Sequence, residues 1–220
     1  MAALKGAFLS FGAGLLGGLP NIVVFQFNPV SVTRTPSLAQ PPPPCNNSGS
    51  TDALQQPCLP GETMSFSLKV DANDQLAKSN PIAATSGILP TLSALELLMV
   101  PQSALSINLS SLIGGSGGAG PYQLPPNKLP TVLFFWGPFR IVPVAITSLT
   151  ITETEYDTLL NPVRAEVSVN LQVLIPNQLA GDALASGAYN YSQGVKETMA
   201  ALNLANAAQI GVSSILSFAL

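Results

Sequence analysis

PTVLFFWGPF (130–139), TSLTITETEY (147–156) and NPVRAEVSVNLQV (161–173) are the stretches whose reading decides the fold. In the last of them Ala165, Val167, Val169, Leu171 and Val173 fall on one side, and Arg164, Glu166, Ser168, Asn170 and Gln172 on the other. Only a strand has that period of two, so the segment predicts a sheet with one apolar and one polar face. Val132 to Trp136 is apolar throughout, as a strand covered on both faces would be, and Gly137-Pro138 ends it. Ile141 to Ile151 forms a further apolar run around Pro143.

Working outward, MSFSLKVD (64–71) repeats the alternation: Met64, Phe66, Leu68 and Val70 against Ser65, Ser67, Lys69 and Asp71. Ile22 to Phe27 is a β-rich run stopped by Asn28-Pro29. Leu89 to Val100 has helical spacing, with Thr91 or Ser93 as candidate caps and Pro101 as the stop. Many short strands with a helix argue for a mainly β (α+β) sandwich or barrel. The expected organisation is an apolar arm over 1–20, a β domain over 21–178 interrupted at 40–61 and 102–129, and an extension over 179–220. The interruptions are low in complexity, with four prolines at 41–44 and GGSGGAG at 114–120. The Ala/Leu/Asn-rich extension reads as one or two weak helices broken near Gly187, Gly194 and Gly211.

Composition narrows the function. Only 9% of residues are charged, against roughly a quarter in typical domains, which suits a chain packed against copies of itself or neighbours. A net charge of −3 without any Lys or Arg run argues against nucleic acid. The chain has no histidine, which removes the commonest general base and metal ligand. Cys45 and Cys58 share the first interruption as a loop-closing disulfide or two free thiols; two thiolates alone leave a zinc site half built, and no metal or cofactor is expected. The first twenty residues imitate a secretory leader but lack a clear small-x-small site. The uncharged stretch after Glu197 is too rich in Asn, Gln, Ser and Gly for a good membrane span and fits an interface helix better.

Candidate chemistry is thin. Gly12 to Gly17 matches GxGxxG, but no strand precedes it and the next acid is Asp52. Glu153 and Glu155, two apart on a strand, would share one face with Asp157 just beyond, as a cation or acid/base site or, more simply, as a repulsive solvated edge. Arg164 and Glu166 suit cross-strand or intersubunit ion pairs. Trp136 reads as a core anchor before a sugar platform.

In order and spacing, Phe25 to Pro29 (FQFNP), Phe66 to Asp71, Pro130 to Gly137 and Pro162 to Leu171 resemble the tube-domain proteins of bacterial contractile injection systems, which are phage-tail-like machines. The resemblance covers about Val24 to Val173. It implies a phage tail-tube-like fold of two packed sheets plus a helix, assembled as a homo-hexameric ring around a channel, and a structural rather than enzymatic role joining inner tube to baseplate and spike. Many relatives carry a peptidoglycan-binding LysM module, and this chain has its extension from Leu179 instead. Partners would be the inner tube, baseplate and spike proteins, and the location a bacterial cytoplasmic particle, released or membrane-anchored as a whole. Residues expected at interfaces are Arg164, Glu166, Glu153, Glu155, Leu204, Ile210 and Phe218. The alternative is a secreted β-sandwich adhesin or carbohydrate-binding module, suggested by the leader-like start, Trp136 and the two cysteines.

Overall fold

Antiparallel pairing organises the chain: β1 (Ala7–Phe11), β2 (Asn21–Val24), β3 (Val32–Ser37), β4 (Gly61–Asp71), β5 (Thr131–Phe135), β6 (Ile141–Tyr156) and β7 (Pro162–Val173) lie in the order β2-β1-β5-β6-β7-β4-β3. The computed structural model describes residues 4–11, 21–37, 59–77, 80–101, 129–179 and 181–209.

The two alternating segments pair with each other, in a register that sets Met64 opposite Leu171, Phe66 opposite Val169, Leu68 opposite Val167 and Val70 opposite Ala165. All eight are buried, as the period of two predicts. On the other side of β7, Ile146, Leu149 and Ile151 of β6 extend the same apolar rows. Burying each such aliphatic side chain contributes about 1.5–3 kcal/mol, so a one-residue slip of register would reverse the whole set.

The sheet is rolled. Phe66 on β4 and Phe134 on β5 stack with ring centroids 5.3 Å apart, although their strands are three ladder steps apart, about 14 Å in a flat sheet. Phe8 and Phe25 complete a buried phenylalanine cluster with centroid separations of 5.1–6.3 Å. Gln26, just past β2, closes the roll against β4: its amide donates to Asp71 O at 2.6 Å and accepts from Asp71 N at 2.8 Å, standing in for a strand partner. The resemblance implies two packed sheets; the described strands instead form one continuous, curled sheet.

Helices cover two openings of the roll. Three short ones, α1 (Asn73–Ala77), α2 (Pro81–Ser86) and α3 (Leu89–Glu96), precede a 3-10 turn at Leu97–Met99. Asn80 caps α2 by accepting from Ile82 N–H. Gly87 adopts φ 56°, and a Cβ there would lie 2.1 Å from Pro162 O, so only glycine allows the Ile88 N–H to Pro162 O bond of 2.9 Å that docks this turn on β7. Leu92, Leu95 and Leu98 enter the core. The helix expected at 89–100 is present, but neither Thr91 nor Ser93 caps it; it starts at Leu89 with Pro90 in its first turn. The signals for α1 and α2 are too short and polar to register as helical periodicity.

The last helix, α4 (Ala183–Gln209), is continuous. It passes through Gly187 and Gly194, where breaks were expected, because Tyr189 and Ser192 seat it on the sheet and outweigh the roughly 1 kcal/mol that each glycine costs a helix. The extension is therefore not detachable at 179: Leu179, Ala185, Tyr189 and Ser192 are all buried. The expected arm is corrected likewise. Ala7–Phe11 is an interior strand between β2 and β5, held there by the fully buried Phe8. Gly61, assigned to the first interruption, opens β4 opposite Ser37. β1 ends at Phe11, so, contrary to the sequence expectation, a strand does precede the GxGxxG segment, although no acid follows it before Asp52. That segment itself, both cysteines, the GGSGGAG loop, Gly211, Ile210 and Phe218 lie outside the described residues. Among the described residues no helix is long and apolar enough to cross a membrane.

Candidate functional site

The outward side of β3, β4, β7 and β6 is a platform of hydroxyls and amides. Cross-strand rows run Thr33, Ser65, Asn170, Ser148 and then Ser67, Ser168, Thr150. Asn170 donates to Ser148 Oγ at 2.8 Å, and Thr147 donates to Asn170 O at 3.1 Å. Charge collects only toward the β6–β7 hairpin, where Arg164 pairs with Asp71 at 2.9 Å and with Glu155. Ser67 donates to Glu166 at 2.6 Å. Partial burial pushes the Asp71 carboxyl up, but hydrogen bonds from Asn73 N–H and Arg164 outweigh it and hold it below its usual value. The bond to Asp71, followed by the Asp71 and Glu155 charges, raises Arg164. Phe27, 47% exposed, borders a groove of about 360 Å³ beside Lys69, Thr154, Arg164 and Glu166.

The expected carboxylate trio does not form. The β6 register shifts between Glu153 and Glu155, so that Glu153 lies opposite Ala165 and Glu155 opposite Arg164. Such a bulge, with Thr154 as the extra residue, turns the two carboxylates to opposite sides of the sheet. Glu155 is bound to Arg164, and Glu153 accepts from Tyr156, whose hydroxyl is raised first by desolvation and then by that carboxylate. Asp157 is spent on its own turn, accepting from Leu159 N, Asn161 N and Asn161 Nδ2 at 2.7–2.9 Å. These bonds hold Leu160 at φ 64°, a costly conformation for leucine, and leave Leu159 and Leu160 73% and 80% exposed at the hairpin tip.

A second polar cluster escaped the sequence reading. Glu62, 8% exposed, sits in phase with the core residues Met64 and Phe66. Arg34 of β3 binds its Oε1 at 2.5 Å and Lys196 of α4 its Oε2 at 3.1 Å. Burial raises the Glu62 carboxyl, and the two cations outweigh that and hold it below its ordinary value. Arg140, in the β5–β6 turn, is depressed by burial and then by the neighbouring Arg34 charge. The signal was there to be found: an acid at a core-phase position of a strand needs a cation.

The remaining expected site residues divide. Leu204 is 64% exposed on the outer half of α4, in company with Met199 and Leu202. Every residue from Lys196 to Asn206 is exposed. Trp136 stacks on Phe134 at 5.9 Å and is half-buried, in the role of anchor. Among the described residues no three His, Cys, Asp or Glu side chains converge on a metal-binding arrangement. No protein-family model and no curated protein matches this chain.

Proposed function

We propose that this protein is a structural ring component of a bacterial contractile injection system, of the tail-tube kind, that joins inner tube to baseplate and spike. The observation that carries the reading is the outer half of α4. Eleven consecutive helical residues, Lys196–Asn206, are exposed and carry Met199, Leu202 and Leu204 outward. An isolated helix of this length is marginal in water, and an apolar, nearly uncharged one gains most from burial against another chain. The curled sheet with an uncharged hydroxyl platform adds support, because such a face suits the wall of a channel. The outer edges of β2 and β3 are where a neighbour's strand would extend the sheet into a hexamer.

Electron microscopy of material purified from the native lysate tests this. Six-fold rings, or sheathed particles carrying the chain, are the expected result. A monomer found only outside the cell would overturn it in favour of a secreted binding module.

A further inference from the structure

The roll does not close along its whole length. β3 pairs with β4 only from Gly61 to Phe66, and a cleft of about 250 Å³ lies between β2 and the remainder of β4. Gln26 spans the gap at the Asp71 end alone. The floor of the cleft is apolar and buried, made by Val23, Phe25, Leu68, Val70 and, from α3, Leu95. Two amines, Lys5 and Lys69, stand over this floor, and no Asp or Glu lines the cleft. Lys5 Nζ donates to Gln26 O at 2.8 Å, which uses one of its three hydrogens. The carboxylates nearby are engaged or set apart. Glu166, opposite Lys69 in register, accepts from Ser67. Asp71 is held by Arg164 and by Asn73 N–H. On the adjoining helices Asp74 and Glu96 are the sequence neighbours of Gln75 and Leu95, and Glu96 is exposed. The main chain adds a donor. Asp71 turns its N–H and C=O away from β7 to Gln26, and because these groups alternate along a strand, Lys69 turns its N–H the same way, to the side where β3 no longer pairs.

A buried apolar floor under two amines and a main-chain N–H is complementary to a carboxylate on a short apolar body. We infer that this cleft binds a small monocarboxylate, its hydrocarbon part on Val23, Leu68 and Leu95 and its head group between Lys5 and Lys69. Burial of the hydrocarbon supplies affinity, and charge-assisted hydrogen bonds, about twice as strong as neutral ones, select the anion. Clefts for drug-sized ligands measure roughly 300–1,000 Å³, so this one suits a body of only a few carbons. The site lies within a single chain and needs neither ring nor partner. It therefore goes beyond the structural reading, and failure of either leaves the other standing.

The test is calorimetric titration of the full chain with hexanoate, with hexan-1-ol and acetate as probes of the tail and the head group alone and thermal melts as the folding check. Hexanoate is expected to bind saturably at one site per chain, at least about tenfold more tightly than either control. Lys5→Gln and Lys69→Gln are each expected to weaken hexanoate about five- to tenfold and to leave hexan-1-ol unchanged. Thr91→Trp, which fills the cleft from α3, is expected to abolish binding of both. No binding of hexanoate at millimolar concentration, hexan-1-ol binding as tightly as hexanoate, a lysine variant that binds hexanoate like wild type, or binding that survives Thr91→Trp would overturn the inference.

Discussion

The two halves of α4 are both Ala-rich and of similar overall hydropathy, and live in opposite environments. From Ala183 to Val195 the helix seats Ala185, Tyr189 and Ser192 on the sheet, at spacings of four and three, and Tyr191 donates to Pro138 O at 2.8 Å. From Lys196 onward it offers Met199, Leu202 and Leu204 to solvent. Hydropathy does not separate the halves; position relative to the sheet does. The difference teaches that an apolar helix can be core for one turn and exposed to solvent for the next, with the Lys196 to Glu62 bond marking the crossover.

The comparison breaks most visibly at Tyr189. Tyr189→Ala leaves a cavity at a 5% exposed core position and is expected to cost about 3–4 kcal/mol, read as a drop in the urea midpoint. The inner half would not be core if the loss stayed below 1 kcal/mol. At the crossover, Glu62→Gln leaves Arg34 and Lys196 without their shared anion and is expected to cost about 1–3 kcal/mol. The pH dependence has a definite sign. Because the folded-state pKa of Glu62 lies below its ordinary 4.5, its stabilisation is complete above that value and is lost as pH falls through the depressed one. Wild type should therefore lose stability on acidification below about pH 5 more steeply than Glu62→Gln, as measured by melts across pH 3–7.

Smaller effects sharpen the contrast. Gly194→Ala meets nothing within 4 Å and is expected to stabilise by about 1 kcal/mol through helix propensity; no gain would contradict the continuous helix. Leu204→Ala is expected to change the stability of the dispersed chain by less than about 0.5 kcal/mol, while weakening any assembly that buries it.

The strands were legible wherever period and pairing agreed. Met64–Val70 and Ala165–Val173 announce their faces because β4 and β7 are each other's partners. β1 was not legible: five residues among glycines are too few for periodicity, and Phe8 becomes core only once the sheet rolls. The carboxylate trio failed for a local reason, since the bulge at Thr154 reverses a parity that sequence spacing assumes constant. Glu62 was hidden because its partners Arg34 and Lys196 lie 28 and 134 residues away. Arg164 was read as an ion-pairing residue, and its partners prove to be Asp71 and Glu155, with Glu166 held by Ser67 instead.

The most direct test is truncation after Glu197, which removes the outer half of α4 and leaves Tyr189, Ser192 and Lys196 in place. The account predicts a melt within about 1 kcal/mol of the full chain and no assembled rings or particles by electron microscopy. Normal assembly of the truncated chain, or its unfolding, would contradict the division of the helix into a seated half and an interface half.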